Sequence, residues 1–165
     1  MKLKNSLRIL VADDFVEWRL RVRSMLHSRP QLQIVGEACN GLQAVQRAAE
    51  LHPDIVLMDI GMPVLNGIEA AKRIWQESPD SRIIFVTANS DSDIRSLALA
   101  SGADGYLLKA NAKRELLPAL ERLHCVISDY AALPPQLNMY RTAYMRNSDG
   151  NSSSAHTFFN SSRPS

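Results

Sequence analysis

Five short runs of this sequence, residues 7–12, 32–39, 54–58, 82–86 and 105–108, are rich in Ile, Val and Leu without clean polar alternation. A strand with one wet face alternates apolar and polar residues, so runs of this kind suit strands buried on both faces. Stretches with helical spacing separate them. Strands alternating with helices through short connections specify βαβ units, and therefore a parallel sheet with helices on both sides.

The helical stretches carry their own punctuation. The first puts Trp18, Val22, Met25 and Leu26 on one stripe and Arg19 and Arg23 on another, and Pro30 ends it. The second, residues 42–51, stops before Pro53. The third opens at Asn66 with Glu69 at capping-box spacing and halts before Pro79, and Ser90 with Asp93 repeats that spacing for the fourth. The fifth starts near Asn111 and turns Leu116, Leu120 and Leu123 inward, although Pro118 predicts a kink or a later start.

At 165 residues the length suits one domain with a modest appendage. The domain is expected over residues 6–125. A tail follows over 126–165, where Pro134-Pro135 and then Ser, Asn and Gly dominate. Such a composition buries no core, so the tail is expected to be largely disordered, with 136–146 the one segment suited to a short helix. A hydrophobic fraction of 45%, a charged fraction of 22% and a mean hydropathy of −0.16 exclude a fully disordered, collagen-like or membrane-spanning chain. A net charge of +2 gives no support to direct nucleic-acid binding. Cys39 and Cys125 lack zinc or redox spacing and read as reduced thiols. Lys2, Lys4 and Arg8 precede only a short apolar run before Asp13-Asp14, so neither a signal peptide nor a membrane partner is expected and a cytoplasmic location is.

The polar residues that end the apolar runs carry the chemistry. Asp13 and Asp14 follow the first, Asp59 the third, Thr87 the fourth and Lys109 the fifth. In an open parallel sheet the carboxyl ends share one edge, where ligands bind. Taken singly, Asp14 reads as a helix N-cap and Lys109 as a lysine reaching solvent. Taken together they describe a pocket. Three carboxylates raise one another's pKa unless a hard cation is present, and oxygen-only ligation suits Mg²⁺. A carboxylate beside such a cation is a nucleophile towards phosphorus, giving an aspartyl-phosphate. Asp59, on the central strand, is the natural acceptor, with Lys109 and Thr87 contacting phosphoryl oxygens.

Four segments, Val11-Ala12-Asp13-Asp14, the D-x-x-M-P-x-x-x-G pattern from Asp59 to Gly67, Val86-Thr87-Ala88, and Gly105-Tyr106-Leu107-Leu108-Lys109, carry a resemblance. The chain resembles the receiver domain of two-component response regulators, of the kind that precede LuxR/NarL-type helix-turn-helix outputs. The resemblance covers about residues 6–124. It implies an α/β, flavodoxin-like, doubly wound (βα)5 fold with a five-stranded parallel sheet in the order 2-1-3-4-5. It also implies that Asp59 takes phosphate from a histidine kinase phosphohistidine, with Mg²⁺ held by Asp13, Asp14, Asp59 and the main-chain carbonyl of Gly61. Thr87 and Lys109 then contact the phosphoryl group, and small Ala88 leaves it accessible. Tyr106 matches the family's switch aromatic, and its three-residue offset from Lys109 turns it to the opposite face, towards partners.

Partners implied are a sensor histidine kinase or phosphotransfer protein, a downstream protein target, and a second copy through the fourth and fifth helices. Arg19 and Arg23 are candidates for docking the kinase. Ala110 stands where many receivers have proline, which leaves the conformation of the Lys109–Ala110 bond open. The residues after Cys125 lack the amphipathic helices and basic surface of a helix-turn-helix output. Two alternatives compete with a phosphorylation switch. An aspartyl-phosphate phosphatase of the haloacid dehalogenase type needs a general-acid aspartate two residues after the nucleophile, where this chain has Gly61. A truncated or atypical DNA-binding regulator is opposed by the tail composition and the small net charge. The expectation is a switch, with no enzymatic activity beyond phosphotransfer to itself and self-dephosphorylation.

Overall fold

The computed structural model describes residues 6–131; positions 1–5 and 132–165 lie outside the described residues, and the expected short helix at 136–146 lies among them. In chain order the elements are β1 (Leu7–Ala12), α1 (Val16–Leu26), β2 (Leu32–Ala38), α2 (Gly41–Leu51), β3 (Ile55–Met58), α3 (Gly67–Glu77), β4 (Arg82–Thr87), α4 (Ser92–Ala100), β5 (Gly105–Leu108), a 3₁₀ turn (Lys109–Asn111) and α5 (Ala112–Ala131). The strands form one sheet in the order β2-β1-β3-β4-β5, every pair parallel, as expected. No peptide bond among the described residues is cis, the Lys109–Ala110 bond included.

The runs of β1, β3 and β4 are buried because helices cover both faces, whereas the edge strands β2 and β5, expected to be buried likewise, are half-buried because each lacks a neighbouring strand on one side. On one face Ile9, Val11, Ile55, Leu57, Ile84 and Val86 meet Trp18, Val22 and Leu26 of α1 and Leu116, Leu120 and Leu123 of α5. On the other, Leu10, Val56, Met58, Ile83 and Phe85 meet Ala44 and Ala48 of α2, Ala70, Ala71 and Ile74 of α3, and Ala98 of α4. Alanines on the second face let those helices approach closely, and β3 and β4 are buried along their whole length.

Three expectations need correction. The cap of α4 is Asp91, not Ser90: its carboxylate accepts from the backbone N–H groups of Asp93 and Ile94 (2.8 and 3.3 Å), two orphan donors that one hydroxyl satisfies less well. Of the two outcomes expected of Pro118, the later start is not seen: α5 starts at Ala112 and runs through the proline. Burial of Leu116 and Leu120 (each 0% exposed) outweighs the missing donor, and Pro118 itself faces solvent. Finally, α5 passes the expected boundary at 125, because Ile127 (8% exposed) still packs into the first core cluster. By contrast, the Asn66 cap holds as read, its side chain accepting from Glu69 N at 3.0 Å.

Candidate functional site

Backbone bonds carry the ladder one step beyond the strands. Asp13 N–H donates to the Ala38 carbonyl (2.9 Å) and Asp59 N–H to the Ala12 carbonyl (2.8 Å), so both residues hang from the sheet edge itself. They are 1% and 6% exposed. Carboxylate oxygens of Asp13, Asp14 and Asp59 can all lie within 4.8 Å of one another. Asp14 does not cap α1; instead Asp13 Oδ1 accepts from Phe15 N–H at 2.9 Å.

Lys109 enters from the end of β5, one residue past the Thr87–Leu108 pair. Its Nζ lies 2.6 Å from Asp13 Oδ2 and 2.9 Å from Asp59 Oδ2. The other Asp59 oxygen accepts from Ile60 N–H (2.7 Å) and more weakly from Gly61 N–H (3.4 Å). Burial holds the Asp13 carboxyl above the usual range against the Lys109 and Phe15 hydrogen bonds, and the nearby Asp59 charge adds to the rise. Burial also opposes the charge on Lys109, but the Asp13 and Asp59 carboxylates prevail and keep its pKa above that of an ordinary lysine.

The loop after Asp59 closes tightly on it. Gly67 N–H donates to the Ile60 carbonyl at 2.9 Å, and a Cβ at Gly67 would sit 2.0 Å from the Asp59 carbonyl oxygen. Only glycine admits that approach. Between them, Leu65 N–H donates to the Pro63 carbonyl (2.8 Å) around Val64, whose φ is 69°: a γ-turn in the left-handed region, strained for a β-branched residue. Gly61 is exposed, and nothing lies within 4 Å of where its Cβ would be.

Thr87 is buried (2% exposed) at the end of β4, and its Oγ1 accepts from Asn89 N–H at 3.3 Å. Tyr106 lies on the face opposite Leu107, packs against the second core cluster, and donates its hydroxyl to the Asn89 carbonyl at 2.6 Å. Arg95 of α4 stands 5.8 Å from its ring centroid. The loop that starts at Thr87 is thus tied to Tyr106 through the single residue Asn89.

Three features were not anticipated from sequence. Arg19 and Arg23 are not free docking cations: both bind Glu37 of β2, Arg19 at 3.0 Å, and Arg19 also donates to the Asp13 carbonyl at 2.7 Å. Glu37 meets the cost of burial and still has its pKa lowered by the Arg23 and Arg19 partners. Arg82 and Asp104 form a buried pair at the far end of β4, with Asp104 also accepting from Ile83 N–H at 2.9 Å. Phe15 and Trp18 flank Lys109, at 5.5 and 5.4 Å from ring centroid to ammonium. Their three-residue spacing, Phe15 just before α1 and Trp18 within it, was visible, but nothing in the sequence tied it to Lys109.

A family model described as the response regulator receiver domain matches residues 9–121. Transcriptional regulatory protein LnrK of Bacillus subtilis is 39% identical over 141 residues, covering 86% of this chain and 61% of LnrK. The nitrate/nitrite response regulator protein NarL of Escherichia coli is 39% identical over 115 residues, covering 69% of this chain and 53% of NarL. The chain therefore spans little more than half the length of these curated relatives. The response regulator domain of Thermotoga maritima CheB superposes with a TM-score of 0.66 at 34% identity, covering 79% of this chain and 99% of that domain. With the parallel order and the acidic sheet edge already in hand, these matches settle the family: the chain belongs to the response regulator receiver domains of two-component systems, of the NarL/LuxR type.

Proposed function

We propose that the domain accepts a phosphoryl group on Asp59 from the phosphohistidine of a sensor histidine kinase or phosphotransfer protein, in the cytoplasm, and so switches a protein-interaction surface. The observation that carries this reading is the Lys109 ammonium bridging Asp13 and Asp59 at the edge where Asp14 also converges. Asp14 Oδ1 is buried with no hydrogen-bond partner among the described residues. An orphaned carboxylate oxygen beside two more carboxylates fits a hard cation with oxygen ligands. Asp13, Asp14, Asp59 and the Gly61 carbonyl would hold Mg²⁺, which when bound supplies positive charge facing the carboxylate and phosphoryl oxygens.

The chain's own groups do the rest. An Asp59 carboxylate oxygen attacks phosphorus, forming the acyl phosphate as the bond from phosphorus to the donor nitrogen breaks. Ile60 and Gly61 N–H groups orient the carboxylate, and Lys109 follows the new negative charge onto a phosphoryl oxygen. The Thr87 hydroxyl, which accepts from Asn89 N–H, keeps its own O–H to donate to another phosphoryl oxygen. The Asn89 carbonyl accepts the Tyr106 hydroxyl, so movement of Thr87 and the loop it begins is carried to Tyr106 and the α4–β5 surface. On α4, Leu97 and Leu99 are 63% and 41% exposed, which supports pairing of two copies through the fourth and fifth helices. Gly61 offers no general acid, so turnover of small phosphate esters is not part of the reading.

The test is intact mass after incubation with acetyl phosphate and Mg²⁺. Wild type gains one phosphoryl group and Asp59→Asn gains none; equal gain by both refutes the assignment. A second reading, that the receiver governs a DNA-binding output, is favoured by the transcriptional regulator LnrK among its relatives. It is tested by DNA binding of the phosphorylated full chain.

A further inference from the structure

Lys109 is held by more than carboxylates. Its Nζ donates to Asp59 Oδ2 and forms an ion pair with Asp13 Oδ2, while the ring centroids of Phe15 and Trp18 lie 5.5 and 5.4 Å from Nζ. An ammonium within about 6 Å of a ring centroid is attracted by the negative face of the ring, most strongly by indole. The two rings differ in what else they do. Trp18 is 8% exposed and belongs to the first core cluster, so its orientation is fixed by packing. Phe15 is 62% exposed, an apolar ring kept in water beside a charged group. Core packing does not explain it, whereas shielding of the ammonium does: the Lys109 side chain is only 14% exposed.

We propose that Phe15 and Trp18 are positioning residues for phosphoryl transfer, forming an aromatic cradle that keeps the Lys109 ammonium beside Asp59. The proposal rests on the reading of Asp59 as phosphoacceptor. A lysine head is strongly hydrated and its stem flexible, so without the rings water competes for it as it leaves the carboxylates for the phosphoryl group. Phosphoryl transfer depends on positioning and charge more than on covalent chemistry by the protein. Loss of a ring therefore lowers the maximal rate and leaves binding of the phosphoryl donor unchanged.

The donor for the test is acetyl phosphate with Mg²⁺: the bond from Asp59 to phosphorus forms, the bond from phosphorus to the acetyl oxygen breaks, and acetate leaves. Phe15→Leu keeps apolar bulk at an exposed position and removes only the ring, and Phe15→Tyr restores a ring. Initial rates by intact mass should show Phe15→Leu roughly fivefold slower at saturating donor, with the half-saturating concentration unchanged and Phe15→Tyr close to wild type. Phe15→Leu at the wild-type rate, or slower only through a raised half-saturating concentration, overturns the proposal. A separate readout uses a Trp75→Phe background, which leaves Trp18 as the sole tryptophan of the chain's two. There, Lys109→Met should change the intensity of Trp18 emission, and unchanged emission overturns the cradle. If wild type gains no phosphoryl group, the functional reading fails and the rate claim falls with it, while the emission change still reports the contact by itself.

Discussion

Replacing Gly67 with alanine tests how closely the site depends on backbone packing. The added methyl would lie 2.0 Å from the Asp59 carbonyl oxygen, and 2.9 Å from both the Asp59 carbonyl carbon and Ile60 Cα, where real Cβ atoms essentially never approach within 3.0 Å. All three neighbours are backbone, so no rotamer change relieves the clash. The gap must open by about 1 Å, and overpacking of this kind costs about 1–3 kcal/mol. Helix propensity works the other way, since Ala is favoured over Gly by about 1 kcal/mol within a helix. Gly67 also does not occupy the left-handed region, so the backbone itself admits alanine. What moves is the end of β3, and a reacting group displaced by about 1 Å loses on the order of 100-fold in rate. Gly105→Ala, on β5, where a Cβ would meet the Ile84 side chain at an ordinary 3.6 Å, is the control. Initial rates of phosphorylation by acetyl phosphate and urea midpoints should both fall for Gly67→Ala and stay near wild type for Gly105→Ala. A Gly67→Ala protein with wild-type rate and stability would refute the reasoning.

Other expectations follow from single features. Glu37 has a pKa below its ordinary 4.5, so it contributes stability above that pH that is lost as pH falls through the folded value. The gap in denaturation midpoint between wild type and Glu37→Gln should therefore be widest near neutrality and close in acid; a pH-independent gap contradicts the ion-pair account. Pro118→Ala removes an exposed helix-interior proline and should stabilise by about 1–3 kcal/mol in urea titration, whereas destabilisation would mean the ring packs. Val64→Gly relieves a φ of 69° and should gain about 1 kcal/mol, with no gain if the turn is unstrained.

The three central strands were readable because burial on both faces leaves a one-dimensional mark, a run without alternation, and the polar residues that follow the first, third, fourth and fifth strands then fall on one edge. Asp13, Asp14, Asp59 and Lys109 needed no more than that to be brought together. What sequence could not show was pairing across the sheet. Glu37 lies 18 and 14 residues from Arg19 and Arg23 on a different element, so two cations read as candidates for docking a kinase were in fact engaged. Ser90 and Asp91 are adjacent and both can cap, and only the geometry of the turn selects Asp91. The rings around Lys109 lie more than 90 residues away from it in the chain and required the fold to be seen.

The continuation of the strand ladder into Asp13 and Asp59 has a consequence for how such modules diversify. Because these two acids hang from hydrogen bonds between main-chain atoms, their spacing is inherited from the repeat of the β-sheet and belongs to no particular loop or surface. A substitution on a helix exterior can then change what the surface recognises without touching the charge geometry underneath.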